Sequence, residues 1–153
     1  MKEIVKFIKE GLKITSKTKV DKYNYHPKTK RELHNLLNQL IEERGNKGNF
    51  NDIDTSKITD ISYLFYMDNF NGNISNWDVS NVTDMDGMFY GCESFNQPLN
   101  NWDVSNVTNM DYMFDGCELF NQDISNWDVS KVDDVKNIFY NCPIEEKYKP
   151  KFK

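Results

Sequence analysis

A chain of 153 residues, 38% hydrophobic and 14% aromatic, holds enough apolar material for one packed core and too much for a disordered segment. Its net charge of -5 is unevenly spread: residues 1–49 carry twelve Lys/Arg against six acids, residues 50–144 three against sixteen, and residues 145–153 four against two. An acidic body repels nucleic-acid phosphates, and no apolar run is long enough for a membrane helix, so neither nucleic-acid binding nor membrane insertion is expected.

Taken in chain order, residues 1–20 place Ile4, Val5, Ile8 and Leu12 on one helical stripe with Phe7 beside it, an amphipathic segment. Lys6, Lys9, Glu10 and Lys13 interrupt it where a secretory signal needs about 7–15 uninterrupted apolar residues. Read as a start at Met1, the segment predicts a cytoplasmic or virion-associated protein. Residues 21–49 hold a polar linker closed by Pro27 and then a helix over 29–44. Thr29 and Glu32 make its capping box, Leu33, Leu36, Leu37, Leu40 and Ile41 its apolar stripe, and Gly45 its stop. A one-stripe helix immediately before a repeat array is expected to cap the open end of the array's core.

Residues 50–144 are that array. "FNGNISNWDVSNVTDMDGMFYGCES" from Phe70, "FNQPLNNWDVSNVTNMDYMFDGCEL" from Phe95 and "FNQDISNWDVSKVDDVKNIFYNCPI" from Phe120 are copies of one 25-residue unit, the first two identical at 17 of 25 positions. A truncated copy, residues 53–69, matches Trp77 to Glu93, and the charged tail 145–153 follows the last copy. Leu99, Trp102, Val104 and Val107 have the L-x-x-L-x-L spacing of a leucine-rich-repeat strand, centred on "NWDVS" at 101–105. Thr108 with Asp111 predicts a capped short helix whose inner side is Met110, Met113 and Phe114 and whose end is Gly116. The expected fold is an α/β solenoid, leucine-rich-repeat-like, of about four 25-residue coils, each a short strand plus a short helix, with an N-terminal helical cap. Trp77, Trp102 and Trp127 should form one column of its core. Phe65, Phe89, Phe114 and Phe139 should form a second, and Phe70, Phe95 and Phe120 a third.

Over residues 53–142 the pattern FNxxISxWDVSNVTxMxxMFxGC resembles the BspA-type leucine-rich-repeat proteins, a bacterial surface-protein repeat also seen in mycoplasma lipoproteins. The stretch "YHPKTKRELHNLLNQLIEERGN" is similar to the segment that leads into the repeats of that family. The resemblance implies a solenoid that binds proteins or host surfaces, without enzymatic activity, at the cell surface. The first ten residues, "MKEIVKFIKE", resemble the capsid-targeting tags of T4-like phage internal head proteins through Met1, Lys2, Phe7, Ile8 and Glu10. That second resemblance implies an alternative, a phage or virion structural or packaged protein addressed by its N-terminal helix.

No catalytic, cofactor or metal site is expected from the remaining residues. Asp54, Asp78, Asp103 and Asp128 recur at one position, where they either hold a cation between coils or close Asx turns on the backbone two residues on. "DMDG" at 84–87 has two ligands of a calcium loop and lacks the rest. Cys92, Cys117 and Cys142 stand one repeat apart and suit neither a disulfide framework nor a C-x-x-C metal site, which leaves buried, reduced thiols. His26 and His34 have no nucleophile or paired carboxylate near them in sequence. Positions that vary between copies are free of packing constraint: Asn73/Pro98/Asp123 and Asn100 before the strand, and Tyr112 and Tyr90/Asp115/Tyr140 on the helical side. These are the expected partner-binding residues of a non-catalytic protein–protein interaction module, the alternative being that they are simply solvated.

Overall fold

The computed structural model describes residues 21–153. The predicted segment at 1–20, and the phage-like tag within it, lie outside the described residues.

Helix α1, Lys30–Arg44, forms as its residues dictate. The Thr29 hydroxyl accepts the Glu32 N–H at 3.2 Å, and Glu32 reaches back to the Lys28 N–H at 2.7 Å. Gly45, at φ +77°, ends the helix with its N–H on the Ile41 carbonyl. Leu33, Leu37 and Leu40 are buried in the core. Both ends are tied to the first repeat unit: Lys30 to Asp60 at 3.1 Å and Ser62 at 2.6 Å, Arg44 to both carboxylate oxygens of Asp52 at 2.8 and 3.0 Å. A two-pronged guanidinium–carboxylate pair fixes orientation as well as distance.

The repeat folds differently from its prediction. Among the described residues α1 is joined only by a three-residue 3₁₀ turn, Glu146–Tyr148, and by isolated parallel bridges such as Asp60–Asp84, Asp84–Asn109 and Asn109–Asp134, with no strand or sheet. The expected α/β solenoid of leucine-rich-repeat coils is overturned: 101–105 is not a strand, and no helix follows Thr108.

Two local effects explain the difference. Asx corners interrupt any extended run. Within one unit Asn73 accepts the Ser75 N–H, Asp78 the Ser80 N–H and Asp84 the Asp86 N–H, at 3.1, 3.0 and 2.9 Å. Side chains that capture the backbone two residues on divert it from a ladder or helix. Left-handed residues then break the presumptive helix: Gly87 and Gly91 have φ +54° and +70°, and Tyr112 and Gly116, their counterparts one unit later, +54° and +74°.

What forms instead is a staircase of β-turns. Met88, Tyr90 and Cys92 donate to the carbonyls three residues back, Met85, Gly87 and Phe89. The alternate donors Met85, Gly87, Phe89 and Gly91 bond to Asn109, Asp111, Met113 and Asp115 of the next unit at 2.7–3.0 Å. Each backbone N–H from 87 to 92 is thereby satisfied within a turn or between units.

Inside, the predicted columns are present. Ring centroids of Phe65, Phe89 and Phe114 succeed one another at 5.7 and 5.5 Å, and those of Phe70, Phe95 and Phe120 at 6.2 and 5.9 Å. The two columns touch within each unit, Phe89 and Phe95 lying 4.0 Å apart. Trp127 stacks on Trp102 at 6.4 Å with planes 1° apart. Each indole N–H donates to a carbonyl of the preceding unit, Trp77 to Phe50, Trp102 to Ile74 and Trp127 to Leu99, at 3.0–3.1 Å. The first unit thus reaches back beyond the truncated copy at 53–69, and Asn71 and Asn73 donate to the Asn46 and Gly48 carbonyls. At the other end Ile144 and Pro150 are buried, Tyr148 and Phe152 pack on the core, and the Ile124 N–H bonds to the Tyr148 carbonyl at 3.0 Å.

Candidate functional site

Two rungs of the staircase carry side chains outward. One rung is Tyr63, Gly87, Tyr112 and Asn137, all with φ between +51° and +54°. The other is Tyr66, Tyr90, Asp115 and Tyr140. Together they carry five tyrosines on one face, four of them in continuous ring contact. Tyr63 meets Tyr66 edge-on at 5.7 Å, Tyr66 stacks on Tyr90 at 5.4 Å, and Tyr90 meets Tyr112 edge-on at 6.3 Å. The arrangement depends on small residues opposite large ones. A Cβ on Gly87 would stand 2.3 Å from the Tyr63 ring, and one on Gly91 2.5 Å from the Met67 sulfur. Tyr66, Met67 and Tyr140 are more than half exposed, and Tyr63 is 43% exposed.

Beside this face lies a groove of about 580 Å³ between α1 and the first unit. His34, Leu37, Asn38 and Ile41 of α1 form one wall, and Tyr63, Leu64, Phe65, Tyr66 and Asp68 the other. It exists because α1 buries its Leu33–Leu37–Leu40 stripe and leaves Ile41 only partly covered. Concave, mostly apolar surface of this size suits a docked group.

The electrostatics of the face are acidic. One oxygen of Asp86, Oδ1, is buried without a hydrogen bond. Burial, then the carboxylates of Asp84 and Asp111, raise the Asp86 pKa against a lowering contact from Tyr63. Burial and the neighbouring Asp86 push the Tyr63 hydroxyl up to about 12. Asp115 is 9% exposed, and burial raises its pKa. Lys136 lies over the Tyr112 ring at 5.5 Å.

Tyr90, Tyr112, Asp115 and Tyr140, expected from sequence to meet a partner, therefore share the staircase face. Of these, Asp115 is the one residue that is buried. Asn73, Pro98, Asn100 and Asp123 sit at the corner before the Trp. Asn73 is held there by Ser75 and by Asn51 at 3.0 Å, and Asp123 accepts the Ser125 N–H at 3.0 Å. Pro98 and Asn100 are exposed, and the Asn100 carbonyl takes the Asn126 side-chain amide at 2.8 Å. Sequence reasoning missed Tyr63, Tyr66 and Met67, which lay in the degenerate copy. The signal was the alignment of Tyr63 and Met67 with Gly87 and Gly91.

The other candidates resolve as structure. Asp54, Asp78, Asp103 and Asp128 each accept the N–H of the Ser two residues on, at 3.0–3.1 Å. The Ser105 and Ser130 contacts hold the Asp103 and Asp128 pKa values below the ordinary range. Asn71, Asn96 and Asn121 form a ladder in which each side-chain oxygen accepts a backbone N–H of the next unit, at 2.9–3.0 Å. The Cys92 and Cys117 thiols are buried and donate to the Phe65 and Phe89 carbonyls. Burial pushes Cys92 up to about 12 and Cys117 also upward. His26 bridges Asp21 at 2.9 Å and Asp54 at 3.2 Å, tying the stretch before α1 to the first unit. Among the described residues no three His, Cys, Asp or Glu side chains gather to hold a metal ion, and no helix is long and apolar enough to cross a membrane.

A family model described as "Mycoplasma protein of unknown function, DUF285" matches residues 33–150, which take in most of α1, the whole staircase and the first part of the tail. No curated protein and no solved structure matches the chain.

Proposed function

The chain belongs to the DUF285 family of mycoplasma proteins of unknown function, and on that premise we propose that it is a non-catalytic protein-binding module. The observation that carries this reading is the continuous tyrosine face, Tyr63–Tyr66–Tyr90–Tyr112, beside the groove under α1. Tyrosine supplies large contact area at the cost of ordering two side-chain angles, and it is enriched at the centre of interfaces. Tyr63 and Tyr66 keep about half of their surface free and Tyr90 and Tyr112 less, so the four rings form the centre of a contact and the groove walls must supply much of the roughly 800 Å² per partner of a standard interface. The repeat supplies the rigidity: rings anchored on a hydrogen-bonded staircase lose little freedom when a partner arrives.

The test is retention of a partner from a lysate of the source cells on the immobilised chain, compared with Tyr66→Ala and Tyr112→Ala. Both variants should keep the fold, at a cost of about 1–3 kcal/mol in unfolding free energy for the lost ring contacts, and lose most of the retained protein. Unchanged retention in both would sink the reading.

A further inference from the structure

The rung that reads Tyr66, Tyr90, Asp115, Tyr140 is interrupted by one acid. Its register is fixed by the backbone, the Gly91 N–H bonding to the Asp115 carbonyl at 2.8 Å and the Gly116 N–H to the Tyr140 carbonyl at 2.9 Å. Asp115 therefore stands one rung from Tyr90 and one rung from Tyr140. Tyr112 is joined to it through the turn, the Asp115 N–H donating to the Tyr112 carbonyl at 3.1 Å.

Asp115 as a residue is nine-tenths buried, while its carboxylate oxygens still reach solvent. The Asx-corner acids have serine N–H partners, whereas the Asp115 side chain accepts no hydrogen bond and joins no ion pair among the described residues. Lys136 lies over the Tyr112 ring. A carboxylate held at the edge of solvent with no partner of its own is open to an incoming cation. The same rung carries tyrosine in the other three units, so the backbone does not require an acid there.

We propose that Asp115, between Tyr90 and Tyr140, is the recognition point for an arginine side chain of the protein partner. The proposal rests on the reading of the tyrosine face as a protein contact, and it supplies the partner's chemistry. A guanidinium is planar, stacks on aromatic rings and pairs with a carboxylate through two N–H donors. A hard divalent ion would need several oxygen ligands, and a single carboxyl flanked by rings does not provide them. The surrounding unit is acidic as well, residues 50–144 carrying sixteen acids against three cations, which steers a basic partner toward it.

The probe is N-acetylarginine amide, with N-acetylcitrulline amide as the uncharged isostere, titrated against the full chain by carbon-13 NMR. The arginine compound should shift the Asp115 carboxyl signal and the Tyr90 and Tyr140 ring signals along one saturating curve, and the citrulline compound should leave them in place. Asp115→Asn should weaken the response about tenfold or more. Asp115→Tyr, which restores the residue of the other units, should keep the fold and abolish the response. Equal shifts from citrulline, an unchanged affinity in either variant, or shifts spread evenly over the acidic surface would each overturn the proposal. If the probe fails while Tyr66→Ala still lowers partner retention, the arginine site falls and the interaction surface stands. If Tyr66→Ala and Tyr112→Ala both leave retention unchanged, the broader reading falls whatever the probe does.

Discussion

Gly87→Ala tests whether the staircase and its tyrosine face are one device. Gly87 has φ +54°, where a residue with a Cβ is disfavoured by about 1–2 kcal/mol. The added methyl would also stand 2.3, 2.6 and 2.8 Å from three atoms of the Tyr63 ring, so that ring must move. Tyr63 is 43% exposed and can swing outward, giving up its edge contact with Tyr66, a contact worth about 0.5–1.5 kcal/mol. The expected loss is about 2–3 kcal/mol. Urea unfolding should show it as a midpoint lowered by roughly 1–1.5 M at unchanged slope, for a slope of about 2 kcal/mol per molar. In a Tyr63→Ala background there is no ring to displace, so the same substitution should cost only the backbone part, about 1–2 kcal/mol. A midpoint unmoved by Gly87→Ala refutes the strain argument. An equal loss in both backgrounds refutes the claim that Tyr63 is seated over the glycine.

Trp102→Phe removes the indole N–H from the buried Ile74 carbonyl, which keeps the Trp77 backbone N–H, so the lost hydrogen bond should cost about 0.5–1.5 kcal/mol in the same urea assay; no change would mean that the indole contact adds nothing beyond packing. Cys92 and Cys117, buried and with Cys92 pushed up to about 12, should resist a thiol reagent near neutral pH and react once urea unfolds the chain; rapid labelling of the native protein would contradict their burial. His26 is raised above its ordinary 6.5 by its hydrogen bond to Asp54 and the nearby Asp21 charge. Its contribution is therefore complete below about pH 6.5 and lost as pH rises through the higher folded value. The midpoint difference between wild type and His26→Gln should be larger at about pH 6 than at about pH 9, and an equal difference at both would remove the charge from the account.

Periodicity alone determined much of this protein. The 25-residue register, the Phe, Trp and Cys columns and the span and caps of α1 are visible in the chain, because a core shared between units demands the same apolar residue at the same place in each. The closing role of Asp78, Asp103 and Asp128 was one of two readings open in the sequence, since a side chain that reaches two residues on needs no distant partner. The backbone between those columns was not legible. L-x-x-W-x-V spacing reports which residues point inward, and both a strand and a chain of turns point them inward equally. Closely spaced Asx corners and a left-handed residue at Gly87 and Tyr112 decided for turns. The site depended on tertiary structure still more. Tyr63 and Tyr66 lie in a copy that looked degenerate, and they join Tyr90 and Tyr112 only because units 24 or 25 residues apart in the chain are hydrogen-bonded one upon the next. Asp115 read as a variable position, partner-binding or simply solvated. Its burial between two tyrosine rungs is a property of the stacked units, set by neighbours that a single copy does not contain.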